Sequence, residues 1–286
     1  MFSKYLFFAL MALQVCSLNS GSNGNCYYIG NETDAVLVDA GISCRETEKR
    51  MKKAGLDIKK LKAIFVSHEH GDHIKGVSTL ANKYHLPVYI TEGTAKNGPI
   101  LIRHLSKSFS AGEAINIGGL RIIPFSKFHD AQDPHSFVIT HAEVTVGVFT
   151  DIGCACPQVI HYFKQCHAVF LESNYDDDML ENGRYPIHLK NRIRGDHGHL
   201  SNKQALELFI KHRPAFMSHV FLSHLSKENN CPNLAVKNFE NHAGQVKVLV
   251  ASRDAAMEVL EITSSSKNKP LLKPVKAGVQ LGLQFS

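Results

Sequence analysis

Apolar positions along the chain fall mostly into short runs, broken by glycine, asparagine and charged clusters. Runs of that length, rich in Val, Ile and Phe, predict strands. They cover 35–39, 63–67, 87–91, 115–128, 136–140, 144–150, 168–172, 216–223 and 246–251. A period of three to four residues replaces them over 45–54, 72–84, 200–212 and 233–242, which predicts helices. Ser201, just before "NKQALELFI", fits the N-cap of the third helix. Near the start, "ALQVCSLNSGSNGNCYYIG" reads as a strand, a glycine-rich turn and a second strand. Many strands in succession, helices in each half and no short repeat predict two face-to-face sheets with helices outside.

The two ends of the chain read differently from this middle. "MFSKYLFFALMALQVCS" has the lysine and apolar run of a signal peptide, but cleavage near Cys16 or Ser20 would remove the first strand. We therefore read residues 1–10 as an N-terminal extension, with Met11 as an alternative start, and the chain as cytoplasmic. From 263 to 286 the periodicity is lost, and Ser, Pro and four lysines occur without an acid. That segment is expected to be a basic, disordered tail, leaving residues 11–262 as one catalytic domain.

Charge changes the picture less than its total suggests. The net +6 contains Lys4 and the four tail lysines, so residues 11–262 carry only +1. Any case for a nucleic-acid partner must come from local patches. Seven cysteines, an odd number without a CxxC pair, point to reduced thiols rather than a disulfide framework.

Candidate chemistry is concentrated in "FVSHEHGDHIKGV". His68 and His70 lie two apart in extended chain, so both side chains can face one ion. Asp72 and His73 follow the Gly71 turn and can face a second. The HExxH spacing of a zincin helix is absent. Further ligand types stand at the ends of predicted strands: His129 in "FSKFHDAQDP", Asp151 in "VTVGVFTDIG" and His224 in "AFMSHVFLSHLS".

These residues resemble the metallo-β-lactamase superfamily, whose signature is HxHxDH followed by a distant His, an Asp and a last His. The resemblance implies an αββα four-layer sandwich of two mixed sheets, with metals at one end. It implies one ion on His68, His70 and His129, a second on Asp72, His73 and His224, and Asp151 as bridge. Asp39, in "LVDAG", matches the acid that supports the motif from behind. Within the superfamily, "SLNSGSNGNCYYI", "HDAQDP", "TDIG", "LESNYDDDMLENGRYPIHLKNRI", "GHLSN" and "HLSKENN" resemble the YycJ/WalJ group over roughly 11–260. Only 47 residues separate Asp151 from His199, too few for the inserted domain of the large nucleic-acid-processing members.

The group resemblance implies a hydrolase of phosphodiester bonds, most closely a 5′→3′ DNA exonuclease. Two divalent ions, zinc first and manganese also compatible, would hold a hydroxide and clamp a phosphate oxygen. Asp72 would be catalytic as well as a ligand, and His199 in "GHLSN" would protonate the leaving oxygen, with His197 as competitor. Two features suit phosphate. The turn with Ser20, Ser22, Asn23 and Asn25 could cradle an anion on its N–H groups, and Arg192 and Arg194 precede His199. DNA is the expected partner, no membrane partner is expected, and the oligomeric state stays open. Competing readings are a small-substrate or cyclic phosphodiesterase and, on the same scaffold, a thioester hydrolase of the glyoxalase II kind.

Overall fold

Several apolar runs are buried along their whole length, as in "AVLV", "VTVGVF" and "AVFLE". Strands buried on both faces must sit inside a layered stack rather than on a surface. The computed structural model describes residues 12–99 and 102–264 and shows that stack. The extension expected over 1–10, and all of the tail expected over 263–286 except its first two residues, lie outside the described residues.

One sheet runs in the order β14 (Leu260–Ile262), β1 (Leu13–Asn19), β2 (Cys26–Gly30), β3 (Ala35–Val38), β4 (Leu61–Phe65), β5 (Val88–Tyr89) and β6 (Ser106–Lys107). The other runs β13 (Lys247–Val250), β12 (His219–Ser223), β11 (Ala168–Glu172), β10 (Val144–Phe149), β9 (His135–His141), β8 (Leu120–Ser126) and β7 (Ile115–Ile117). Both sheets are mixed: β3 is parallel to β4 and antiparallel to β2, while β10 is parallel to β11 and antiparallel to β9.

Strand alternation builds the layers. Val36 and Val38 face the core between the sheets, whereas Ala35 and Leu37 face the outer core beneath helices Cys44–Lys53 and Val77–Tyr84. Across the interface, Phe221 faces inward, while Val220 and Leu222 pack under helices Pro157–Phe163, Asn202–His212 and Pro232–Ala243. Between the sheets Phe170 stacks on Phe221 with centroids 4.6 Å apart and meets Tyr27 at 5.0 Å. Three apolar cores separating helix, sheet, sheet and helix give the expected αββα order.

The structure corrects several element boundaries. The strand expected over 115–128 is a hairpin, β7 and β8, turning at Gly118 with φ +53°. The helix expected over 72–84 is two helices, Gly71–Ile74 and Val77–Tyr84. They break where Gly76 donates to the Ala40 carbonyl at 2.8 Å, and a Cβ there would lie 2.0 Å from the Ile42 oxygen. Ser201 caps its helix as expected, in a reciprocal capping box with Gln204. The described cysteines are all free thiols.

Strands β3, β4, β8, β10, β11 and β12 deliver their C-terminal ends to one edge of the sandwich. Open sheets place ligands at that edge because side chains from several strands converge there.

Candidate metal centre

Each of these strand ends contributes at least one acid or imidazole. Asp39 follows β3, the Ser67–His73 turn follows β4, His129 follows β8, and Asp151 follows β10. Glu172 closes β11 and His224 follows β12. Asp39, Asp151 and His224 take left-handed backbone, with φ of 60°, 53° and 55°. A non-glycine residue pays for that conformation, and such costs gather at functional sites.

The side chains form a hydrogen-bonded frame around converging ligand atoms. Asp39 is fully buried; its Oδ1 accepts the Ser67 N–H at 2.8 Å, and its Oδ2 accepts the Ser67 hydroxyl at 2.8 Å and His73 Nδ1–H at 2.7 Å. With its proton given to Asp39, Ser67 Oγ accepts from His68 Nδ1–H at 2.9 Å. His129 Nδ1–H donates to the Gly198 carbonyl at 3.0 Å. His224 Nδ1–H donates to Glu172 Oε1 at 3.1 Å. In all four rings Nδ1 is engaged by the protein, which leaves Nε2 as the atom free to meet an ion once it is deprotonated.

Those free atoms come together. His68 Nε2 faces His70 Nδ1 at 3.1 Å, and donor atoms of His68, His70 and His129 lie within 4.8 Å of one another. Asp72, His73 and His224 form a second such group, with Asp72 Oδ2 3.5 Å from both His73 Nε2 and His224 Nε2. Asp151 lies between them, 3.1 Å from His73 Nε2 and 3.8 Å from His129 Nε2. Buried His129 Nε2, His224 Nε2 and Asp151 Oδ2 have no hydrogen-bond partner among the described residues. Unpaired buried nitrogens and oxygens are costly, and imidazole with carboxylate is a donor set that divalent transition ions take. The residues fit two such ions.

Electrostatics follow the same layout. Burial lowers His129 to about 4, with the Lys127 ammonium assisting against the pull of Asp151. Burial would lower His73 too, but Asp151, Asp39 and Asp72 outweigh it and push the ring up to about 10. Burial would raise Glu172, yet His199 and His224 hold its carboxyl at about 2.

The structure brings His68, His70, Asp72, His73, His129, Asp151, His224, Asp39 and His199 into one site. His199 donates Nδ1–H to Glu172 at 2.7 Å and keeps part of its ring open to solvent. The competitor His197 is exposed and packs on Phe128 instead. Asn25 is fully buried, its Nδ2 3.2 Å from Asp72 Oδ2 and 3.0 Å from His73 Nε2.

The rest of the expected anion cradle is used differently. Ser20 Oγ accepts the His224 N–H at 2.8 Å, and the N–H groups of Ser20, Gly21, Gly24 and Asn25 all bond to oxygens of the protein. Ser22 and Asn23 turn toward Arg253. The turn is therefore a brace for the metal residues. Arg192 reaches the rim by pairing with Asp130, the neighbour of His129, whereas Arg194 turns to Glu181 at 2.7 Å.

Residues 20–155 match the metallo-beta-lactamase superfamily. The chain is also 37% identical to exodeoxyribonuclease YycJ of Bacillus anthracis over 229 residues, 79% of this chain and 87% of the relative. The chain belongs to the metallo-beta-lactamase superfamily. Its similarity to exodeoxyribonuclease WalJ of Streptococcus pneumoniae D39 is 32% over 259 residues, 86% of this chain and 96% of that one. The metallo-beta-lactamase fold protein YhfI of Bacillus subtilis superposes with TM-score 0.68 at 16% identity, covering 86% of this chain and 99% of YhfI.

Two residues of this site were hidden in the sequence. Glu172 ends the wholly apolar strand "AVFLE", and an acid at that position was its one signal. Ser67 ties Asp39 to two histidines but stands in sequence as an ordinary residue before the motif.

Proposed function

We propose that this protein, through the domain spanning 11–262, is a two-metal phosphodiesterase that degrades DNA from its ends in the 5′→3′ direction. The observation that carries the reading is the engagement of Nδ1 on His68, His73, His129 and His224, which leaves four Nε2 atoms for ions. His68, His70 and His129 would hold one ion, Asp72, His73 and His224 the other, and Asp151 would bridge. Zinc suits this set, and manganese is compatible. When bound, the ions supply Lewis acidity toward a phosphoryl oxygen and a nucleophilic water of lowered pKa.

The chain's own groups complete the reaction. Glu172 fixes His199 by Nδ1, so Nε2 faces outward and, when it also carries a proton, can give it to the leaving oxygen. Arg192, held by Asp130 at the rim, meets a backbone phosphate. Arg194, already paired with Glu181, contributes at most to the surrounding field. The relatives from Bacillus anthracis and Streptococcus pneumoniae, both exodeoxyribonucleases, support DNA as substrate. Free thiols throughout the described chain support a reducing cytoplasm. No described helix is long and apolar enough to cross a membrane.

The test is linear duplex DNA labelled at the 5′ or the 3′ end, incubated with metal-loaded protein beside Asp72→Ala. We expect progressive loss from the 5′ end, absent in the variant. Intact DNA with turnover of bis-p-nitrophenyl phosphate would overturn the nuclease and keep a small-substrate phosphodiesterase.

A further inference from the structure

Beside the metal centre lies a cavity of about 350 Å³, lined among others by Ser20, Leu225, Lys227, Pro232, Arg253 and Asp254. That size falls at the lower end of small-ligand sites and suits one nucleotide unit. Its wall is continuous with the centre: Ser20 lines it, and Ser20 Oγ accepts the backbone N–H of His224 at 2.8 Å. Leu225 follows His224 directly.

The chemistry of the cavity is cationic. Its lining carries two cationic side chains, Lys227 and Arg253, and one carboxylate, Asp254. Arg253 is held in place by the turn before β2: Asn23 Nδ2 donates to its carbonyl at 2.9 Å, and its Nη2 donates to Ser22 Oγ at 3.4 Å. Its Nη1 is buried without a hydrogen-bond partner among the described residues. The guanidinium, tied down at Nη2, stands at the cavity wall, where an anion would meet a charged donor. The helix Pro232–Ala243 begins at the same wall, which adds the positive end of its dipole.

We infer that this cavity is a second phosphate subsite, in which Arg253 and Lys227 hold the phosphate of the nucleotide next to the scissile phosphodiester. The inference rests on the phosphodiesterase reading and extends it to a substrate carrying two phosphates. The turn expected to cradle phosphate with its own N–H groups serves instead to position a guanidinium that does so. The phosphate has two possible sources, a 5′-terminal group or an internal linkage.

Calorimetry on the zinc-loaded full chain tests the subsite without requiring turnover. Thymidine 3′,5′-bisphosphate should bind at least about ten-fold more tightly than either thymidine monophosphate, the scale of one charge-assisted contact. Arg253→Ala should remove most of that advantage, Arg253→Lys should keep part of it, and Lys227→Gln should reduce it by a few-fold. An advantage equal in wild type and Arg253→Ala, or absent in wild type, would overturn the subsite. Cleavage assays then separate the sources. A preference for 5′-phosphorylated over 5′-hydroxyl DNA that Arg253→Ala removes assigns the cavity to the terminal phosphate. An equal loss on both assigns it to an internal one. Intact DNA with the bisphosphate advantage preserved would sink the nuclease reading and leave the subsite standing.

Discussion

Glu172 Oε1 accepts the Nδ1–H of His199 at 2.7 Å, and the same oxygen takes His224 Nδ1–H at 3.1 Å. One carboxylate oxygen thus orients both the proposed acid and a proposed metal ligand. Its Oε2 accepts the Ile152 N–H, which ties the arrangement to the turn after Asp151. Glu172→Gln keeps the volume but replaces one oxygen with an NH₂ that cannot accept. We expect kcat/KM on bis-p-nitrophenyl phosphate to fall about 10- to 100-fold, the usual scale for an orienting partner of a ligand histidine. Circular dichroism should show an intact fold. Activity within two-fold of wild type would remove Glu172 from the mechanism.

Asp39 acts on the other side of the site. Its Oδ2 receives protons from both Ser67 and His73, and through Ser67 it also settles His68. In Asp39→Asn the amide oxygen replaces only one carboxylate oxygen: set at the Oδ2 position it abandons the Ser67 N–H, and set at Oδ1 it turns an NH₂ onto His73 Nδ1, so the His73 ring is less firmly held. Zinc affinity, measured by competition with a chromophoric chelator, should drop about 10- to 100-fold. Metal analysis should give two ions per chain for wild type and fewer for Asp39→Asn after the same dialysis. Full retention of both ions would show that the tautomer is set elsewhere.

The metal motif was legible in sequence because its residues are local and follow a buried strand, so spacing alone places them. The distant ligands were legible because each ends an apolar run. Glu172 was obscured by the same rule, since a terminal acid on "AVFLE" looks like a strand meeting solvent, yet it is fully buried. Helix Ile187–Arg194 left no apolar stripe to read, because none of its residues is buried. The left-handed turns at Asp39, Asp151 and His224 have no sequence signature: these residue types are chosen for their chemistry, and the surrounding fold holds the backbone. The glycine-rich turn was placed correctly beside the site, but the N–H groups of Ser20, Gly21, Gly24 and Asn25 bond inside the protein, which only the hydrogen bonds reveal.

Gly41 shows how tightly the backbone is drawn around the motif. Its N–H donates to the Asn25 carbonyl at 2.8 Å, Asn25 N–H donates to the Asp72 carbonyl at 2.7 Å, and Ala40 N–H donates to the His73 carbonyl at 3.0 Å. A Cβ on Gly41 would lie 1.6 Å from the Asp72 oxygen, so the Asp72–His73 segment would have to move away. Gly41→Ala should cost about 3 kcal/mol or more, seen as a Tm lower by roughly 6–12 °C. It should also weaken metal binding, since the displaced residues are proposed ligands. Gly55→Ala is the control for the steric argument, because a Cβ there meets nothing within 4 Å. Its φ of +72° still carries a conformational cost, of about 1 kcal/mol. Equal losses in the two variants would mean that close packing at Gly41 is not what matters.

His167 gives the fold a pH dependence remote from the metals. It is buried immediately before β11, where its Nδ1 accepts the Thr145 N–H at 3.1 Å. Burial lowers its pKa to about 4, only partly opposed by Glu143, whereas the unfolded chain has the ordinary value of about 6.5. Between those values the unfolded state binds a proton that the folded state refuses, so stability rises with pH in that window. The contribution is fully present above about pH 6.5 and is lost as pH falls toward 4, on the order of 2–3 kcal/mol. Protonation also places a hydrogen on Nδ1 against the Thr145 N–H, so the bond that neutral His167 accepts is lost. His167→Asn offers an oxygen to Thr145 but cannot titrate. Its Tm at pH 7 should be lower than that of wild type because the side chain is smaller. The drop in Tm from pH 7 to pH 4.5 should nevertheless be smaller than in wild type. Since the other buried histidines titrate equally in both proteins, the difference between the two drops isolates His167, and identical drops would show that its pKa is not lowered in the fold.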